Sequence, residues 1–271
     1  MSTPYVRRFD SFDRVLHGFL MLSFLGLAAT GLPLIFSDQP WARRMTGILG
    51  SFEVAGWLHR VCATMLITVF AVHLSRLGRR LIFQRDFGLL WGPRSMVPQP
   101  RDLTDAVGHV KWFLGLGARP RFDRYTYWEK FDYWAVFWGM GIIGASGLLL
   151  WFPVFFANVV PGWFFNIALL VHGEEALLAV GFIFTMHFFN GHLRPEKFPM
   201  DRVIFTGRVS LEELEEERPS EYARLKASGG LAALQVPPPE RWLVRLGTVI
   251  GTTAVSIGLL LVGFILYAVL T

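Results

Sequence analysis

The sequence predicts an all-α membrane protein: a four-helix transmembrane bundle followed by a fifth, C-terminal transmembrane helix. Three observations carry that expectation. Hydrophobic residues make up 53% of the 271-residue chain, and its mean hydropathy is +0.42. Five stretches reach the ~20 apolar residues that a helix needs to cross a bilayer. Basic residues crowd alternate connections, the pattern by which a multi-spanning chain fixes its orientation.

The first stretch, about Val15–Phe36, follows a charged opening of Arg7, Arg8, Asp10, Asp13 and Arg14. It is too long for a signal peptide and lacks a small-residue cleavage site, so it reads as a retained span. The second stretch is Val54–Leu74. The third, Tyr133–Phe156, carries Gly139, Gly141, Gly144 and Gly147, small residues that let a helix approach a neighbour or a flat ring system closely. Trp163–Phe189 and Leu243–Leu270 complete the set. The many Trp and Phe residues suit a lipid-facing and interfacial belt.

Two connections are long. Arg76–Lys130 is broken by Pro93, Pro98, Pro100 and Pro120, with a short surface helix expected near Leu103–Leu116. Arg194–Trp242 contains Leu211–Glu217, an acidic helix with Ser210 as its N-cap; it offers either a solvated face or a docking surface for a partner. The other two connections, Ser37–Glu53 and Ala157–Gly162, leave little room for soluble chemistry. The expected organisation is thus a four-helix domain over residues 1–200, a connection over 201–242 and an extra helix over 243–271, with no internal repeat.

The formal net charge is +5, but the positions of the charges point away from nucleic acid. With the N-terminus inside, 23 of the 26 Lys and Arg residues fall on the cytoplasmic side. Three precede the first span, eleven run from Arg76 to Lys130, and nine from Arg194 to Arg245. Only Arg43 and Arg44 lie in outer loops, with Arg60 inside the second span. The positive-inside rule then gives an inner-membrane protein with a cytoplasmic N-terminus and a periplasmic C-terminus.

The chemistry lies in the histidines. Six of the seven, His17, His59, His73, His172, His187 and His192, sit in or within a turn of the apolar stretches. Ionisable residues are costly in hydrocarbon and need a bonding role there. The single cysteine, Cys62, excludes an internal disulfide, a cysteine-held iron–sulfur cluster and a covalent c-type haem. Neutral imidazole is a good axial ligand for haem iron. By depth, His59 and His172 fall toward the outer leaflet, and His17, His73 and His187 toward the inner one. His59 and His73 are 14 residues apart, ~21 Å of rise, and only ~40° short of whole turns. His172 and His187 are 15 apart, ~60° past whole turns, a mismatch that a slight kink or supercoil absorbs; Met186 holds the 14-step position. Histidines at two heights on facing helices suit two stacked b-type haems.

Arg14-Val15-Leu16-His17, His59-Arg60 and the paired histidines of the fourth span resemble the diheme cytochrome b subunits of formate dehydrogenases and nickel–iron hydrogenases. The resemblance covers the first four spans. It implies an outer haem on His59 and His172, and an inner haem on His17 and His187. It also implies a quinone site near the inner haem. This chain departs from that pattern in the 15-residue spacing, in His73 and His192, and in its fifth span. His73 could therefore replace His17, or a third haem could involve His73 and His192. Glu129 and Asp132, with His73 and His192, are the candidates to contact a quinone. Arg14 and Arg60 are placed to pair with haem propionates; Arg60 could instead pair with Glu175. Glu174 and Glu175, beside His172, could orient that ligand or carry protons.

The expected function is a membrane electron-transfer subunit within a hetero-oligomeric complex. It would exchange electrons between a membrane quinone and a periplasmic redox subunit, such as an iron–sulfur protein or a multihaem cytochrome c. The chain carries no nucleotide fingerprint or iron–sulfur motif that would let it act alone on a soluble substrate. A self-contained transmembrane reductase, or a protein that translocates protons or metal through its histidines, are the alternatives.

Overall fold

The computed structural model describes residues 4–271 and is all-α in its membrane-type segments. Five helices are long and apolar enough to span: Ser11–Ile35, Phe52–Ile82, Tyr127–Trp151, Trp163–Leu193 and Arg241–Leu270. They are called here the first to fifth spans. The second continues eight residues past Leu74 because the following turns are polar and well partnered. Arg76 there pairs with Asp10 at 2.6 Å and Asp13 at 2.9 Å. The third stops at Trp151, five residues before its expected end, because Pro153 opens a separate turn, Pro153–Phe156. The residue before a proline is held out of the helical region, and Phe152 has φ −117° and ψ 55°.

The chain folds as two units interleaved in sequence. One comprises Val15–His73, Ala135–Asp201 and Val249–Thr271. Its helices turn much of their apolar surface outward, as lipid-facing helices do: Trp57, Val61, Leu169 and Leu170 are all more than half exposed. Close approaches occur where one partner is glycine. A Cβ on Gly26 would lie 2.5 Å from the Cys62 sulfur, which sets the spacing of the first and second spans. On the fifth span, a Cβ at Gly258 would meet Phe188 at 2.5 Å and Phe184 at 2.8 Å. The fifth span is thereby keyed to the fourth. Its Phe264 stacks on Trp41, with ring centroids 4.9 Å apart and planes within 3°. Trp41 belongs to a helix, Pro40–Leu49, inside the connection expected to be a bare loop. Pro40 opens that helix, and Gly50, at φ +114°, ends it. Its buried side includes Trp41, Ala42 and Thr46, while Arg43 and Arg44 are exposed.

The fourth span is not a uniform α-helix. Ile183–His187 and Phe189–Leu193 are π-helical. Each π turn holds one residue more than an α turn, absorbing about 100° of rotation.

The other unit comprises residues up to Arg14, Leu74–Trp134 and Arg202–Thr248. It contains a small sheet that the sequence does not lead one to expect: β1 (Tyr5–Arg7), β2 (Arg208–Ser210) and β3 (Gln235–Val236), in the order β2-β1-β3. Both pairings are antiparallel, with Val6 opposite Val209 on one side and Gln235 on the other. Val6, Val209 and Leu214 form its core, packed by Tyr222, Leu225 and Leu231. Leu214 comes from the acidic helix Leu211–Glu217, whose Ser210 cap accepts from the Glu213 amide at 3.1 Å. Pro100–Phe113 forms the expected surface helix, closed at its start by a Gln99/Asp102 capping box. The seventh histidine, His109, lies in it, buried among Trp112, Phe113, Phe122 and Trp128, with Tyr127 OH 3.1 Å from its Nδ1.

Beside this sheet lies a buried ionic network. Arg8 pairs with Glu221 at 2.5 Å, and Arg124 with the other oxygen of Glu221 at 3.1 Å. Arg124 also donates to the Arg8 carbonyl at 2.8 Å, and Arg8 to the Arg124 carbonyl. Burial pulls the pKa of the Arg8 guanidinium below its ordinary value, with Glu221 opposing that pull. Buried charges persist only when paired and hydrogen-bonded in this way.

Candidate functional site

Five of the six histidines of the apolar helices fall into a pair and a group of three. His59, from the second span, and His172, from the fourth, face each other with ring centroids 6.3 Å apart and planes at 77°. Their Nδ1 atoms are both engaged away from each other. His59 Nδ1 lies 3.1 Å from Thr30 Oγ1 of the first span. His172 Nδ1 lies 3.0 Å from the Ile143 carbonyl and 3.3 Å from Ser146 Oγ of the third span. A carbonyl oxygen can only accept, so His172 carries its proton on Nδ1 and presents a bare lone pair at Nε2.

That arrangement fits a haem iron. Metal–imidazole bonds are about 2 Å, and a ring centre lies about 1.1 Å behind its nitrogen, so two imidazoles across one iron have centroids about 6 Å apart. A ligating histidine also uses its other ring nitrogen as a donor to the protein, which fixes tautomer and orientation. Among the described residues, no group of three or more His, Cys, Asp or Glu side chains converges as a bare metal ion would require.

The inner group is looser. His17 lies within electrostatic range of both His187 and His192. The π turns explain how the fourth span presents both. With one extra residue absorbed, the 15 steps from His172 to His187 end ~40° short of whole turns. With two absorbed, the 20 steps to His192 come to whole turns. The kink or supercoil expected from the sequence is thus a pair of π turns. Among the described residues, His192 Nδ1 is buried without a hydrogen-bond partner, and its ring packs near Phe188, centroids 6.2 Å apart. His73 stands edge-on to Phe137 of the third span at 6.3 Å.

Other candidate residues have partners within the protein. No ion pair joins Arg60 to Glu175 among the described residues. Arg60 lies over the rings of Trp57 and Trp151 at 5.6 and 5.9 Å, and Glu175 accepts from Trp138 Nε1 at 3.2 Å. An exposed guanidinium here finds aromatic faces on its own helix and the third span before it finds a carboxylate. Arg14 Nε donates to the Phe205 carbonyl at 2.7 Å, which commits it to a backbone turn. Glu129 is occupied too: it accepts from Arg218 at 2.9 Å and from Thr126. Glu129 and Asp132 belong to the unit that also holds the sheet. Of the four glycines picked out in the third span, only Gly147 meets another helix, at the edge of His172. Thr30, Gly31 and Ser146 do not stand out in the sequence. Their only signal there is a hydroxyl residue followed by glycine in two apolar helices.

No protein-family model matches the chain, and no curated protein matches it.

Proposed function

We propose that this chain is a b-type cytochrome of the membrane, an electron-transfer subunit that links a quinone to a redox partner on the outer side. The observation that carries the reading is the His59–His172 pair, 6.3 Å between centroids with the outward nitrogens tethered. Haem b, when bound, supplies a one-electron carrier at each of two depths. His59 and His172 hold the outer one, and His17 and His187 the inner one, as in the diheme subunits of formate dehydrogenases and nickel–iron hydrogenases.

His192 is the group for quinone chemistry at the inner level. A quinol that becomes a quinone gives up two electrons and two protons, and the protons need an acceptor within hydrogen-bond reach. A buried imidazole nitrogen with no hydrogen-bond partner among the described residues supports that role. The connections of the chain, with 23 of 26 basic residues on one side, support a cytoplasmic N-terminus and a periplasmic C-terminus. An iron–sulfur protein or multihaem cytochrome c on that outer side would complete the path.

A reduced-minus-oxidised spectrum of the purified chain tests the reading. Two b-type haems per chain are expected, and His59→Ala or His172→Ala should each remove one and leave the other. A parent protein without a Soret band would sink the haem reading and favour proton or metal translocation.

A further inference from the structure

The two outer imidazoles enter the same local device on two different helices. On the first span, Thr30 Oγ1 donates to the Gly26 carbonyl at 2.7 Å and lies 3.1 Å from His59 Nδ1. On the third span, Ser146 Oγ donates to the Ile142 carbonyl at 2.7 Å and lies 3.3 Å from His172 Nδ1. The Ile143 carbonyl, three residues before Ser146, takes the same ring nitrogen at 3.0 Å. A glycine follows each hydroxyl. A Cβ on Gly31 would lie 3.0 Å from His59 Cε1, and one on Gly147 would lie 2.9 Å from His172 Cε1.

Each part has a physical job. The hydroxyl proton is engaged by the preceding turn, so the hydroxyl oxygen meets the ring as an acceptor. Acceptors at Nδ1 fix the proton there and leave Nε2 as the lone pair. The missing Cβ lets the edge of the ring rest against the helix, so a methyl group would force the ring to swing. Thr30 is 4% exposed and Ser146 9%, so neither seat is open to competing water.

We propose that Thr30-Gly31 and Ser146-Gly147 are matched seats of positioning residues that hold the two outer imidazoles with their planes crossed and tune the iron they bind. The proposal rests on the haem reading and specifies how that site is controlled. Crossed imidazole planes leave the iron orbitals that overlap the two rings nearly equal in energy, whereas parallel planes split them. Donation from Nδ1–H to oxygen makes Nε2 a stronger donor, which favours ferric over ferrous iron.

The test uses the full-length, haem-loaded protein and reads electron paramagnetic resonance and midpoint potential. The parent should show one strongly anisotropic low-spin ferric signal that disappears in His59→Ala. Gly147→Ala and Gly31→Ala should move that signal toward the less anisotropic form while haem content holds. Thr30→Val and Ser146→Ala should shift the outer midpoint upward and leave the inner one in place, with Thr30→Ser and Ser146→Thr restoring the parent value. If a glycine variant loses the outer haem, the hydroxyl variants decide. Haem-loaded variants with unchanged signal and potential would overturn the seats and leave the haem reading standing. A parent that binds no haem overturns the haem reading itself.

Discussion

At the scale of single residues, the inner site turns on His192. Its buried Nδ1 lacks a hydrogen-bond partner among the described residues, and an uncompensated buried polar atom is costly unless something else satisfies it. His192→Ala should therefore keep both haems yet slow quinol-dependent haem reduction by about 10²-fold, the scale of a lost proton acceptor. Stopped-flow reduction with haem quantification checks this, and loss of the inner haem instead would make His192 a ligand. His59 and His172 stand out in the sequence because histidine is conspicuous in an apolar run. Thr30 and Ser146 do not, because a hydroxyl residue in such a run bonds its own preceding turn in most settings. Only the position of a ring on another helix turns it into a seat. Arg60 adds a feature that the sequence does not show: Trp57 and Trp151 offer it two aromatic faces.

Among elements, the spans were legible and their irregularities were not. Length and hydropathy identify a helix that can cross a membrane, and all five emerged with ends within a few residues to two turns of expectation. The π turns leave no such mark, since a single extra residue alters the phase of every later side chain without altering composition. The fifth span holds that region through Gly258, against which Phe184 and Phe188 are seated. Gly258→Leu should displace both rings, disturb the π turns and cost the inner haem while the outer remains. Overpacking of this kind costs about 1–3 kcal/mol, so the protein should still assemble. A spectrum that retains both haems would show that the fifth span does not support the inner site. The three strands escaped notice because two or three residues are too few to display an alternating pattern.

For the molecule as a whole, the buried ionic network and the topology make separate demands. Arg8 and Glu221 are 8% and 3% exposed. Arg8→Ala should destabilise the sheet-containing unit by about 3–5 kcal/mol, because Glu221 keeps its burial and loses a partner. Thermal unfolding in detergent measures this, and a variant as stable as the parent would mean that Arg124 alone suffices for Glu221. For topology, a reporter fused after Thr271 should be active only outside the cytoplasm. Activity only inside would invert the orientation read from the basic connections.

The small sheet has a consequence for the order in which the protein comes into being. β1 is its central strand and leaves the ribosome ahead of every span, yet its partners are β2 and β3, from far along the chain. At roughly 5–20 residues per second, the gap between the emergence of Arg7 and that of Ser210 is on the order of 10–40 s. Throughout that interval both edges of β1 offer unpaired amides and carbonyls, while the first four spans are being made. A chain that stalls before Ser210 therefore carries an unsatisfied strand ahead of its first span. Full pairing of β1 thus waits until Val236 has been made, on the brink of the fifth span.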